Sequence, residues 1–203
     1  FFRSAAGRLL VVGFLLGSLG ACSEQTPSFF ADFSQHKPLR LSEWGLFELD
    51  EQRLAPLPNL EVVRPANPLF TDYAHKLRTL WIPTGAQAKL VDGEIDYPVG
   101  SILSKTFYYP TDSQGRVIKT RDSGASEISL ADSRLLETRL LVRQASGWAA
   151  LPYVWNEDET EAFLRVAGAS YALTMVDADH AAAPPTQFAY FVPNENQCSG
   201  CHT

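Results

Sequence analysis

Cysteine, histidine and methionine are scarce in this 203-residue chain: three, four and one respectively. That scarcity excludes much. No second cysteine pair accompanies Cys198 and Cys201, and His36, His75 and His180 stand singly, so a closed zinc site lacks ligands. Basic charge is also short. Seventeen Lys and Arg face 23 Asp and Glu, for a net charge of −6. Nucleic-acid binding asks for a basic face, so no nucleic-acid partner is expected. The one apolar run without charge, residues 9–19, is shorter than the roughly 20 residues a transmembrane helix needs. There is no internal repeat, and the only low-complexity tract is residues 181–185, expected to be a loop.

What is present is concentrated at the end of the chain, in Cys198-Ser199-Gly200-Cys201-His202-Thr203. Cys-x-x-Cys-His is the attachment sequence for a covalent c-type haem. Residues three apart on a helical turn share a face, so both sulfurs can reach one porphyrin edge. The histidine that follows is placed to ligate the iron. The expected cofactor is therefore haem c, bound by Cys198 and Cys201 with His202 as the proximal metal ligand. The competing readings are a redox dithiol, half of a zinc site and a structural disulfide. A redox dithiol of the thioredoxin kind follows the first strand of a βαβ unit, whereas this pair ends the chain. Asn194, with Gln197 three residues on, is a capping box, which starts a helix leading into the motif.

The other end is a secretory signal. Arg3 and Arg8 precede the apolar run, and Gly20-Ala21 are small residues at its end. Export and covalent haem attachment are mutually coherent, because the attachment takes place outside the bacterial cytoplasm. Residues 1–21 are expected to be removed. Losing Arg3 and Arg8 makes the mature chain more acidic still, which suits a secreted domain and a basic redox partner. Residues 22–40 read as a tether, 41–193 as a β-rich domain, and 194–203 as the start of a haem-binding domain whose remainder lies beyond Thr203.

The body reads as strands. Segments 76–82, 88–91, 102–109, 117–120, 137–144, 148–155, 172–176 and 188–192 are short, rich in β-branched and aromatic residues, and broken by Gly, Pro, Asp and Ser. Ala145-Ser146-Gly147 reads as a hairpin turn and Asp112-Ser113-Gln114-Gly115 as another turn. Residues 41–47 suggest a helical turn capped by Ser42. The prolines at 56, 58, 65 and 68 suggest extended chain with little regular structure. One helix is expected in the body, starting at Asn156 and running into Ala162-Phe163-Leu164. The fold class is thus mainly β, a β-sandwich or barrel-like domain with few short helices, followed by the first helix turn of a truncated cytochrome c-like domain.

Several segments together resemble a family of secreted bacterial proteins described as uncharacterised or dihaem c-type cytochromes. They are Leu41-Ser42-Glu43-Trp44-Gly45-Leu46-Phe47, Pro68-Leu69-Phe70-Thr71-Asp72-Tyr73-Ala74, Lys76 with Arg78, and Pro98-Val99-Gly100. Lys105-Thr106-Phe107-Tyr108-Tyr109-Pro110, Glu137-Thr138-Arg139-Leu140-Leu141-Val142 and Tyr153-Val154-Trp155-Asn156 continue the set, and Val192-Pro193-Asn194-Glu195-Asn196-Gln197-Cys198 closes it. The resemblance implies haem and an envelope location, with no defined substrate. This chain has one haem motif where the family name implies two. Leu19-Gly20-Ala21-Cys22 also resembles the lipobox of bacterial lipoproteins. That likeness implies cleavage before Cys22, its lipidation, and a periplasmic protein held to a membrane by its lipid anchor. Ser23 after the cysteine favours the outer membrane, by analogy with lipoprotein sorting.

The expected function is covalent haem binding and electron transfer with a redox protein partner in the cell envelope, a carrier rather than a catalyst, with no catalytic residue assigned. The alternatives are a haem-dependent periplasmic oxidoreductase whose β domain binds substrate, and a secreted β-rich binding module with a C-terminal disulfide. The remaining polar residues read as structural. The aromatics of 105–110 suit packing. Glu137, Thr138 and Arg139 suit a cross-strand charge network. Asp72 near His75 lacks an accompanying nucleophile or metal cluster. Met175 suits a strand core better than an iron site.

Overall fold

Alternating apolar residues on long strands build the framework, and the strands form a six-stranded antiparallel sheet. The computed structural model describes residues 37–180 and 182–199. The central strands are β4 (His75–Trp81), β7 (Ile102–Pro110), β10 (Ser133–Gln144) and β11 (Gly147–Trp155). β3 (Glu61–Val62) and β12 (Ala162–Leu164) flank them, giving the order β12-β11-β10-β7-β4-β3. Three smaller sheets accompany it. β1 (Phe47–Leu49), β2 (Arg53–Pro56) and β9 (Ile128–Ser129) form one. β14 (Thr186–Val192), β13 (Ala169–Asp177) and β8 (Val117–Lys119) form another, with β8 parallel to β13. β5 (Lys89–Val91) and β6 (Glu94–Asp96) form a hairpin. The fold is mainly β with very few helices and, among the described residues, no closed barrel, as expected from the short strands.

The large sheet is buried on both faces, over different lengths. One face carries Leu77, Tyr108, Leu140, Val142, Leu151 and Tyr153 into a core completed by Leu41, Trp44, Leu46, Leu54 and Ile128. Trp44 Nε1 donates to Tyr153 Oη at 2.7 Å, so the two large rings bury no unmet polar atom there. The opposite face carries Phe107, Tyr109 and Leu136 against Leu173, Tyr190 and Val192 of the β13–β14 hairpin. Tyr109 stacks edge-on with both Phe188 and Tyr190. The aromatics of 105–110 are therefore core residues, divided between two cores by the pleat.

Every segment expected as a strand is one, with no end moved by more than four residues. The turn at Ala145-Ser146 joins β10 to β11 with Gln144 opposite Gly147. Two expectations fail. No helix starts at Asn156. Its Oδ1 accepts from the amides of Thr160 and Glu161 at 2.9 and 3.1 Å, closing a turn, and Glu159 turns left-handed at φ 55°. Ala162 then pairs with Trp155 as a hairpin. The turn at Leu41–Trp44 is a short 3-10 helix preceded by Arg40, with no side-chain cap; the Ser42 hydroxyl instead donates to Glu161. Residues expected in the tether already pack: Tyr153 donates to the Pro38 carbonyl at 3.0 Å, and the Leu164 amide to that of Leu39 at 2.9 Å. No helix among the described residues is long and apolar enough to cross a membrane.

Candidate functional site

Proline ends the last strand and asparagine starts the last helix. Pro193 has no amide hydrogen to continue pairing beyond Val192. Asn194 Oδ1 accepts from the Gln197 amide at 2.9 Å, and Gln197 Oε1 accepts from the Asn194 amide at 2.9 Å. This reciprocal pair is the capping box expected from the sequence. The helix that follows, α1 (Glu195–Ser199), carries the backbone of Cys198. Two ties hold its start. The Glu195 amide donates to the Val166 carbonyl at 3.0 Å, and Lys37 Nζ meets Glu195 Oε1 at 2.8 Å. Cys201 and His202 lie outside the described residues, as does Cys22.

Beside α1 lies an open trough of about 690 Å³ on the large sheet, over the part of its face that the β13–β14 hairpin leaves uncovered. Its walls include Pro193 and Gln197 from the start of α1, and Val63 and Leu69 from the loops opposite. The pleat organises its floor in two rows. Leu103, Leu141 and Ala150 sit opposite one another on β7, β10 and β11. The neighbouring row, two residues along each strand, is Arg78, Lys105 and Arg139 on β4, β7 and β10. One row is apolar and the next is cationic.

Lys76 extends the cationic group one step further along β4. Lys76, Lys105 and Arg139 surround the Phe107 ring at 6.0, 5.9 and 4.3 Å from its centroid. Each gains some attraction from the ring face. Two carboxylates partly offset the four cations. Asp122 lies 3.9 Å from Arg78 and accepts from the Lys76 amide. Glu137, fully buried, takes a bidentate contact from Arg139 at 2.6 and 2.7 Å. Burial, then the charge of Arg78, push Lys76 down to about 8, with Lys105 and Arg139 adding and Asp122 opposing. Burial likewise lowers Arg78.

This has a consequence for pH. Unfolded Lys76 titrates near 10.5 and folded Lys76 near 8. Between those values the unfolded chain binds more protons, so stability from this group rises with pH across that window. Below pH 8 the folded state carries the full cost of the charge. Lys76→Gln should therefore gain on the native chain at pH 7 and lose that advantage by pH 10.5. Denaturant midpoints of both proteins at the two pH values measure it; an unchanged difference refutes it.

The other sequence candidates are structural. His75 is buried, stacks edge-on with Tyr108, and lies 3.4 Å from the Thr120 carbonyl through Nε2. Burial lowers its pKa, so it is a neutral core histidine. Asp72 contributes its carbonyl to Tyr109 Oη at 2.6 Å. Met175 packs in the second core. It stands six residues along β13 from Ala169, which pairs with Val192, so it is roughly 20 Å from the start of α1. Thr138 does not join its neighbours' charges; it faces the other core, bonded to Thr106 and Trp155.

A second hollow was not anticipated. Leu49, Asp50, Glu51, Glu157, Asp158 and Glu159 line it. Burial pushes Glu159 up to about 7, against the Leu135 amide and Arg134. Among the described residues no group of three His, Cys, Asp or Glu could hold a metal ion. Comparison with family models, curated proteins and solved structures finds no match to this chain.

Proposed function

We propose that this protein binds haem c covalently through Cys198 and Cys201, with His202 as the proximal iron ligand, and passes electrons to or from a redox protein in the cell envelope. The observation that carries this reading is the Cys-x-x-Cys-His motif led by a capped helix. Each thiol adds S–H across a vinyl double bond, sulfur to one carbon and hydrogen to the other, so attachment consumes no oxidant. The bound group supplies a one-electron centre. The chain supplies the rest. Asn194 and Gln197 satisfy the first amides of α1, and Glu195 fixes its start to Val166 and Lys37. The residues beside α1 suit the group, since the trough offers an apolar floor next to a cationic row. Export by residues 1–21 and a lipid anchor at Cys22 would place the protein on the periplasmic side of a membrane.

The test uses full-length protein matured in the periplasm. A haem stain that survives denaturing electrophoresis is expected, with a haem-sized mass increment on the peptide holding Cys198 and Cys201. Cys198→Ala should lose the double thioether and most of the stain. Colourless native protein, or a peptide two mass units light from a disulfide, refutes the reading.

A further inference from the structure

We infer that the outer edge of β14 is a docking site for a second copy of this chain, the two β14 strands pairing antiparallel about a two-fold axis. The inference stands apart from the haem reading.

An unpaired strand edge is a template for another strand, and proteins close such edges with side chains, prolines, charge or brevity. This chain closes most of its edges in those ways. Past the end of β3, the Lys76 amide on β4 is taken by Asp122. Past the end of β11, the Leu135 amide on β10 is taken by Glu159. β12 is bridged by Arg40, and the Leu164 amide donates to the Leu39 carbonyl. β11 beyond β12 has α1 beside it and Pro152 within it. The short edges carry charge: Glu48 on β1, Glu61 on β3, and Lys89, Glu94 and Asp96 on the β5–β6 hairpin.

β14 has none of these devices. It is the outermost strand of its sheet and seven residues long. Among the described residues no hydrogen bond reaches its outer edge. One residue in five of the chain is charged, yet none from 181 to 194 is. Phe188, Tyr190 and Val192 pack into the second core, while Gln187, Ala189 and Phe191 are exposed, Phe191 by 70%.

The same features name the occupant. Full overlap of two β14 strands sets Ala189 opposite its own copy, Phe188 opposite Tyr190, and Gln187 opposite Phe191. The smallest side chain then sits on the axis, an aromatic pair lies on each side of it, and no like charges oppose. An edge that selects a foreign peptide instead offers pockets to alternate side chains. The exposed residues here lie beside Thr174, Ala172 and Ser170 of β13, a plain of small groups. Seven residues per copy bury less than a standard interface, so the dimer dissociates on dilution.

The test uses full-length protein matured in the periplasm. Sedimentation equilibrium over a dilution series should show monomers and dimers in exchange. Amide hydrogen exchange should slow within residues 186–192 as concentration rises, and stay unchanged within 89–96. Ala189→Lys sets two ammonium groups face to face and should weaken association at least about tenfold. Ala189→Asp should do the same. An equimolar mixture of these two variants should associate as mixed dimers, which a damaged strand would not. Leu90→Lys, on the exposed β5–β6 hairpin, should dimerise as the native chain does. A monomer at every concentration overturns the inference, and so does native association in both Ala189 variants. Slow exchange in 186–192 that comes from a bound foreign peptide, with the chain monomeric, also overturns it.

Discussion

Replacing Glu137 by alanine should cost about 3–5 kcal/mol of folding stability, the range for breaking a buried ion pair from one side. Glu137 is fully buried on β10. Arg139 grips both its oxygens, and Tyr190 Oη donates to Oε1 at 2.6 Å. Burial, and then the charge of Glu137, raise the Tyr190 pKa, so the phenol stays a donor at any pH of interest. The alanine variant strands a half-buried guanidinium and a buried hydroxyl together, and each must find water inside the sheet packing. Glu137→Gln keeps the shape and the acceptor oxygen but not the charge, and should lose less. A paired Glu137→Met and Arg139→Met variant should recover part of the loss, because desolvating the pair is itself costly. Urea unfolding of the three proteins, at unchanged m-value, measures these differences. A loss below about 1 kcal/mol for Glu137→Ala would mean the network contributes only as an exposed pair does.

That network also marks where sequence reasoning stops. Glu137 and Arg139 were legible as partners, since residues two apart share a strand face. Tyr190 was not, because it reaches them from the β13–β14 hairpin. A bulge between Leu135 and Glu137 then places Leu136 and Glu137 toward the same core, against the simple alternation. The long strands β4, β7, β10 and β11 were legible because seven to twelve residues rich in Leu, Val, Thr and aromatic side chains run in each of them. β1, β2, β3, β6 and β9 are two to four residues long and were missed, since so few residues carry no period. The failed helix at Asn156 has a specific cause. An asparagine side chain that accepts two amides begins a turn as readily as a helix, and only the pairing of Ala162 with Trp155 decides. Of the site, the capping box was local and therefore visible. The cationic row was not: Arg78, Lys105 and Arg139 become neighbours only once the register of three strands is known.

Gly168→Ala should destabilise the protein by about 2–4 kcal/mol and loosen the start of α1. Gly168 sits in the loop before β13 at φ 76°, where an L side chain alone costs about 1–2 kcal/mol. It also lies against the β14–α1 junction. A Cβ there would run into the Val192 carbonyl oxygen and come within 3.2 Å of the Pro193 carbonyl carbon and the Asn194 amide nitrogen. Backbone cannot swing aside as a side-chain end can, so the junction itself must move. The junction holds the Asn194 cap, and the Glu195 amide is bonded back to Val166 two residues before the glycine. Gly115→Ala is the matched control. Its φ is 73°, and nothing lies within 4 Å of the added carbon, so it bears the backbone cost alone. The excess loss in Gly168→Ala over Gly115→Ala isolates the steric part. If α1 presents the cysteines to haem as proposed, covalent haem per chain should fall in Gly168→Ala and hold in Gly115→Ala. Equal stability losses in the two variants would show that the loop and the junction yield freely, and that the approach at Gly168 does not position the helix.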